Sequence, residues 1–368
     1  MATTCSRTLL FLIVASASTA LGQTAVSVPP IAPTVSLGDP DRTVNLDTGN
    51  TTYKNGFFIT RKGLDEVSIT DKEGHGSGYL TLSAPDKDAF IPSEFISDFA
   101  LFKDGSIVAS WTYMLRDEAK RYFYLTHYDA GGKLIGQIDL GPWRASKICI
   151  AQDNSIWALS SQNVDGNPVY SPDEGVLRNY KFGSGFVRAA VPRSNFAQDG
   201  EAYASRDTID AAIDCSGNKI HALTGDGQWI AYTPGGDFTL TKVEPLNEYA
   251  MYGFAYLDEN HIYGFMKSGP GYSVPSMLAE LLPAKDRKGL EWVELPPDKT
   301  LPENQPASAA DAGPAKAPVV VTKLLGADHA NGEHLVYQVS TDSANPTPQN
   351  SVLFWSKPLF ATAPSHAE

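Results

Sequence analysis

Charged residues lie at corresponding distances before a repeated motif, and their side chains could bind a cation or a polar ligand. The motif begins a strand with isoleucine in its four clear copies, at Ile107, Ile156, Ile220 and Ile262. Counting back from these positions gives Asp98, Lys147 and Asp210, with Glu94, Arg144 and Arg206 slightly upstream. Carboxylates bind hard cations. Charge in a narrow channel mouth focuses the local field on a polar ligand. The mixture of signs favours a neutral or zwitterionic ligand over a bare cation.

The repeated motif is a turn rich in Asp, Asn, Gly and Ser, followed by an apolar strand. Its best copies are Asp104-Gly105-Ser106-Ile107, Asp153-Asn154-Ser155-Ile156 and Gly217-Asn218-Lys219-Ile220. A fainter copy contains Leu335, and a strand around Phe58 suggests a first unit. Repeats of about 40 to 50 residues that read as turns and strands are typical of propeller blades, and longer intervals here contain insertions.

The repeats predict an all-β chain that forms a six-bladed β-propeller, with five or seven blades as alternatives. We expect the matched residues to lie on the inner strands of the blades. Their starts would then form the mouth of a central channel. We also expect residues 42–46 to pair with the C-terminal blade, because an open sheet edge would expose unpaired backbone groups.

The first residues have the pattern of a secretory signal peptide, with an apolar run that ends in small residues near position 22. The predicted organisation is a signal peptide at 1–22, an extended linker at 23–41, a propeller at 42–360 and a tail at 361–368. A Pro and Ala rich stretch at 296–318 predicts a disordered insertion in the propeller. The mature protein would be periplasmic or extracellular, without a transmembrane segment.

Composition limits the partners that the chain could have. The formal net charge of −13 disfavours nucleic acid, because phosphate binding requires clustered Lys and Arg. Two cysteines, Cys149 and Cys215, remain after signal cleavage, and both free thiols and a disulfide are compatible with the sequence. Neither has partners at metal-ligand spacing.

The motif copies resemble those of the NHL-repeat and TolB-like six-bladed β-propeller superfamily. The resemblance implies a binding platform, although the gluconolactonase-like and paraoxonase-like branches are hydrolases with a metal in the central channel. The gluconolactonase-like pattern requires Glu, two Asn and Asp from separate blades. In this chain Lys147, Gly253 and Gly326 stand where oxygen ligands would be needed.

The sequence therefore predicts an exported binding or interaction module. Its ligand would be a small molecule, peptide, glycan or partner protein, and no cofactor is expected. The predicted ligand-binding residues at the channel mouth are Glu94, Asp98, Arg144, Lys147, Arg206 and Asp210. The alternative is a metal-dependent lactonase or esterase that uses a divalent cation such as calcium to polarise a substrate oxygen. No catalytic residue is assigned.

Overall fold

The structure is a computed structural model, and its described residues form an almost entirely β protein. These residues are 35–36, 43–44, 51–62, 65–71, 76–85, 89–90, 96–115, 120–164, 167–169, 174–196, 211–244, 246, 248–269, 271, 275–285, 288–295, 320–329, 334–340 and 351–355. One three-residue 3-10 helix, Arg193–Asn195, accompanies the strands. No helix in these ranges has the length and apolar character that crossing a membrane requires.

The strands form a small N-terminal sheet and a succession of larger sheets. The small sheet pairs β1 (Val35–Ser36) with β2 (Thr43–Val44). Blade one contains β3 (Thr51–Lys54), β4 (Phe57–Lys62), β5 (Glu66–Asp71) and β6 (Gly76–Thr81). Blade two contains β7 (Ala89–Phe90), β8 (Ile96–Leu101), β9 (Ile107–Leu115), β10 (Arg121–Tyr128) and β11 (Leu134–Asp139).

The next two blades follow the same antiparallel order. Blade three contains β12 (Trp143–Ile150), β13 (Ile156–Val164), β14 (Asn167–Val169), β15 (Gly175–Lys181) and β16 (Gly185–Pro192). Blade four contains β17 (Ala212–Asp214), β18 (Ile220–Leu223), β19 (Gln228–Tyr232) and β20 (Phe238–Lys242).

A fifth blade and a smaller sheet complete the chain. Blade five contains β21 (Tyr249–Asp258), β22 (His261–Ser268), β23 (Met277–Pro283) and β24 (Leu290–Glu294). The last sheet, called the closing sheet below, contains β25 (Val320–Asp328), β26 (His334–Ser340) and β27 (Ser351–Trp355).

The expected β-propeller is present, but the count of six blades is corrected. Five sheets have the four or more strands of a complete blade, whereas the closing sheet has three in the described residues. The expected closure by residues 42–46 is also wrong for Thr43 and Val44. These residues pair with Ser36 and Val35 rather than with the closing sheet.

The matched apolar residues lie one strand farther from the channel than the sequence suggested. Ile107, Ile156, Ile220, Ile262 and Leu335 are all buried, and all lie on the second strand of their sheet. The innermost strands, defined here as β3, β8, β12, β17, β21 and β25, precede them in the chain. The motif therefore marks the turn between an innermost strand and its neighbour.

The hydrophobic core lies between neighbouring sheets rather than within any one of them. Trp111 and Ile59 belong to a cluster that blades one and two share, and Trp157 and Tyr232 pack between blades three and four. The closing sheet contributes Tyr337 to a cluster with Phe265 of blade five. Burial between radially arranged faces is characteristic of a propeller, because a single small sheet cannot cover both of its faces.

Ring closure depends on close contacts between innermost strands. A Cβ added to Gly253 on β21 would lie 2.3 Å from the carbonyl oxygen of Leu324 on β25. A Cβ added to Gly326 on β25 would lie 2.3 Å from the carbonyl oxygen of Tyr53 on β3. Glycine is required at both positions because the neighbouring backbone occupies the space of any side chain.

We expect Gly253→Ala to lower the free energy of unfolding by about 1–3 kcal/mol, because the strands must separate to admit the methyl group. Urea unfolding followed by tryptophan fluorescence measures this change. Gly217→Ala is the matched control, since an added Cβ there meets no atom within 4 Å. Equal losses in the two variants would contradict the close-contact explanation.

A disulfide joins blades three and four. Cys149 on β12 and Cys215, next to β17, have Cα atoms 5.7 Å apart, a normal separation for a disulfide. Of the two states that the sequence left open, the structure has the oxidised one. The bond closes a loop between residues separated by 66 positions, which restricts the unfolded chain.

We predict that the double substitution Cys149→Ala and Cys215→Ala lowers the free energy of unfolding by about 2–4 kcal/mol, chiefly through the less restricted unfolded state. Urea unfolding without reductant provides the measurement. Reductant should lower the free energy of unfolding of the wild-type protein by a comparable amount. It should leave the free energy of unfolding of the variant unchanged. An unchanged wild-type midpoint in reductant would argue against a stabilising disulfide.

Candidate functional site in the central channel

The innermost strands surround a central cavity of about 430 Å³. All six of these strands contribute to its wall, including Lys54 of β3, Asp98 of β8 and Lys147 of β12. Asp214 of β17 and Tyr252 of β21 also line it. The cavity lies on the axis of the ring, where residues as distant in sequence as Lys54 and His329 line the same space.

Backbone bulges place corresponding residues of different blades in the channel wall. The register of β8 shifts between Ile96 and Asp98, and that of β12 shifts between Ala145 and Lys147. A bulge adds an unpaired residue and redirects the side chains that follow it. Equivalent shifts precede Gly253 on β21 and Gly326 on β25, in agreement with the spacing inferred from the sequence.

Asp98 connects three innermost strands. Its Oδ2 accepts a hydrogen bond of 2.8 Å from the backbone N–H of Ile148 on β12. Lys54 of β3 lies 3.4 Å from Oδ1 and donates to the carbonyl oxygen of Phe99 at 2.7 Å. Asp98 is therefore largely occupied by contacts within the protein and contributes to the order of the channel wall.

Lys147 is half-buried in the channel wall and has no ion pair among the described residues. It lines the cavity, and no hydrogen bond or salt bridge joins its Nζ to that part of the chain. Arg144, three residues earlier on β12, is not among the cavity-lining residues. The other predicted residues, Glu94, Arg206 and Asp210, lie outside the described residues.

Sequence reasoning missed ionisable residues at the ends of three other innermost strands. Lys54 ends β3, Asp214 ends β17 and His329 follows β25, and all three line the cavity. The prediction considered only the starts of the inner strands. Polar residues directly before the turns, such as Lys54 before Asn55 and Gly56, were the available signal.

Asp214 has an unusual electrostatic environment. Its Oδ1 accepts hydrogen bonds from the backbone N–H and the hydroxyl of Ser216, at 2.8 and 2.6 Å. Desolvation within the channel wall raises the pKa of Asp214, and the hydrogen bonds from Ser216 and the charges of His329 and Lys54 oppose this rise. Its Oδ2 has no hydrogen-bond donor among the described residues.

The described channel residues do not form a recognisable cation site. No group of three or more His, Cys, Asp or Glu side chains lies within metal-binding reach of one another in the described ranges. Gly253 and Gly326 have no side chain to offer, and Lys147 is a cation. These residues do not fit the several oxygen ligands that calcium takes.

His221 is buried behind the channel wall on β18. Its Nε2 lies 3.0 Å from the hydroxyl of Tyr256, and its ring stacks on Tyr256 at 4.4 Å and on Trp229 at 5.6 Å. No residue in the described ranges makes a hydrogen bond to its buried Nδ1. Desolvation lowers the pKa of His221 from 6.5 to about 4. Its role in this position is packing rather than proton transfer at neutral pH.

We expect His221→Phe to reduce the acid sensitivity of folding. Above the unfolded pKa of 6.5 the histidine is neutral in both states. As pH falls towards the folded pKa of about 4, the unfolded chain binds a proton first, which destabilises the native state. This effect amounts to at most about 3 kcal/mol. Urea unfolding from pH 7 to pH 4 tests it, and identical pH dependence in the variant and the wild type would refute it.

Comparisons with known proteins add little to this description. No family model matches the chain, and no curated protein matches it. A matching solved structure is titled "The crystal structure of BamB from Moraxella catarrhalis"; the match covers 85% of this chain and 98% of that chain at 10% identity, with a TM-score of 0.35. A likeness at this TM-score carries no argument about function. The class of protein, a β-propeller with a central channel whose wall carries both charged and apolar residues, follows from the sheets and the cavity themselves.

Proposed function

We propose that this chain is an exported β-propeller that binds a small polar ligand in its central channel. The cavity of about 430 Å³, lined by all six innermost strands, carries the proposal. Its volume is within the range of about 300–1,000 Å³ typical of small-molecule pockets. Among the ligands that the sequence left open, this volume favours a small molecule over a peptide, glycan or partner protein.

Two features support export. The N-terminal sequence has the pattern of a signal peptide, although residues 1–22 lie outside the described residues. The Cys149–Cys215 disulfide is consistent with an oxidising compartment, where such bonds form and persist. Membership of the NHL-repeat and TolB-like superfamily remains part of the proposal, supported by the turn and strand motif.

A metal-dependent lactonase or esterase is the alternative function. It would require several oxygen ligands around one point in the channel. The charged residues that line the described cavity alternate in sign, with Lys54 and Lys147 beside Asp98 and Asp214. This arrangement favours binding over metal-assisted hydrolysis, in which a cation polarises the substrate.

The test is a thermal-shift screen of polar metabolites, repeated with chelator. We expect at least one ligand to raise Tm in the wild-type protein, because a compound that binds only the native state stabilises it. Lys147→Gln should weaken its binding about tenfold, a loss of about 1.4 kcal/mol. The exposed turn residue Lys133 supplies the matched control, Lys133→Gln.

Two results would overturn the proposal. One is that every hit binds Lys147→Gln and Asp98→Asn variants as tightly as the wild type, which would place the site outside the channel. The other is that no hit appears although the protein turns over a lactone or ester in a chelator-sensitive way, which would favour the hydrolase.

A further inference from the structure

A pair of lysines lies at the corner between blade five and the closing sheet. Lys267 lies on β22, and its Nζ is 5.3 Å from the ring centroid of Tyr252 and 5.7 Å from that of Phe265. Lys267 is half-buried, and no carboxylate among the described residues forms a salt bridge with it. Aromatic rings rather than an acidic group therefore stabilise this ammonium group in the described part of the chain.

The second lysine, Lys323, lies at the same corner on β25. It directly precedes Leu324, the residue at which β25 closely approaches Gly253. Tyr252 directly precedes Gly253 on β21. Burial and the charge of Lys267 lower the pKa of Lys323 to about 7. The two ammonium groups are thus close enough to repel each other.

The carboxylate of Glu280, on the adjoining strand β23, is engaged elsewhere. It accepts a hydrogen bond from the hydroxyl of Tyr263, the residue opposite it on β22. The residue opposite Lys323 on β26 is Gln338, which is uncharged. Two like charges at a partly desolvated corner destabilise the native state, and an anion between them reverses this effect.

Tyr252 offers an exposed aromatic surface beside the two lysines. It is the bulged residue of β21, and it is 54% exposed. The corresponding bulges of β8 and β12 carry the small residues Ser97 and Ser146. The ring of Tyr252 is therefore available to the aromatic part of a ligand whose anionic group binds the lysines.

We propose that the corner formed by Lys267, Lys323 and Tyr252 binds an aromatic oxyanion, either a carboxylate or a phosphate ester, with its anionic group between the two Nζ atoms. The ammonium groups donate hydrogen bonds to the anion, and the aromatic ring of the ligand packs on Tyr252. Tyr252 also lines the central cavity, whereas neither lysine is among the cavity-lining residues. The site thus adjoins the cavity and goes beyond the proposed function.

Titration calorimetry at pH 7 tests this inference with benzoate and phenyl phosphate, which also distinguish a carboxylate site from a phosphate site. Benzyl alcohol and benzylamine are the comparison compounds, because they carry the same ring without a negative charge. We expect at least one oxyanion to bind about tenfold more tightly than either, since only an oxyanion accepts charge-assisted hydrogen bonds from both lysines.

Proton uptake provides a second measurement. A bound anion raises the pKa of Lys323, which is about 7 in the free protein. Binding at pH 7 should therefore take up a fraction of a proton, about one half at most. Calorimetry in two amine buffers with different ionisation enthalpies measures this uptake, and its absence on binding of an oxyanion would contradict contact with Lys323.

Substitutions identify the role of each side chain. Lys267→Gln should weaken oxyanion binding about tenfold, and Lys267→Arg should restore it to within about threefold of the wild type. Tyr252→Ser should weaken the binding of the aromatic oxyanions about threefold and leave the binding of acetate and inorganic phosphate unchanged. The matched control Lys133→Gln, at an exposed turn position, should leave all affinities within about twofold. Circular dichroism and Tm establish that every variant is folded.

Three results would overturn the inference. They are equal affinities for the oxyanions and the comparison compounds, no binding of either oxyanion at about 10 mM, and equal oxyanion affinities in the wild type and Lys267→Gln. The proposed function is decided separately by the metabolite screen and its dependence on Lys147, because neither Lys267 nor Lys323 lines the cavity.

Discussion

The close approach of innermost strands at Gly253 and Gly326 is the constraint on which the ring depends. The closing sheet has three strands among the described residues. Its innermost strand lies directly against β21 and β3, where the carbonyl oxygens of Leu324 and Tyr53 occupy the space of a Cβ. Leu335 and Tyr337 of the closing sheet pack against buried apolar residues of blade five, and this packing also stabilises the closed ring. Backbone proximity and interblade packing together close the ring.

The same constraint makes the channel asymmetric. Strands β21 and β25 approach their neighbours through glycine and therefore cannot present a charged side chain at those positions. Strands β3, β8, β12 and β17 carry Lys54, Asp98, Lys147 and Asp214. With Asp328 and His329 at the end of β25, Asp, Lys and His side chains come from five of the six innermost strands, and β21 supplies none of these to the described cavity wall.

Part of this architecture could be predicted from the sequence. The turn motif indicated repeated small sheets, because its Asp, Asn and Gly residues favour turns and its isoleucines favour buried strands. The distance of Asp98 and Lys147 from the motif isoleucines also predicted that they occupy equivalent positions on β8 and β12. The number of strands in the closing sheet could not be predicted, since residues 42–46 carry no pattern that selects a pairing partner. The charge at the end of β17, Asp214, was missed because a residue that caps its own turn has a local explanation as well as a functional one.

The disulfide connects stability with the geometry of the proposed site. It joins β12 to the end of β17, the two strands that carry Lys147 and Asp214. Affinity for a small ligand depends on how well its contacts are preorganised, because any ordering of the protein on binding opposes association. A covalent bond within two residues of both charges limits their relative movement.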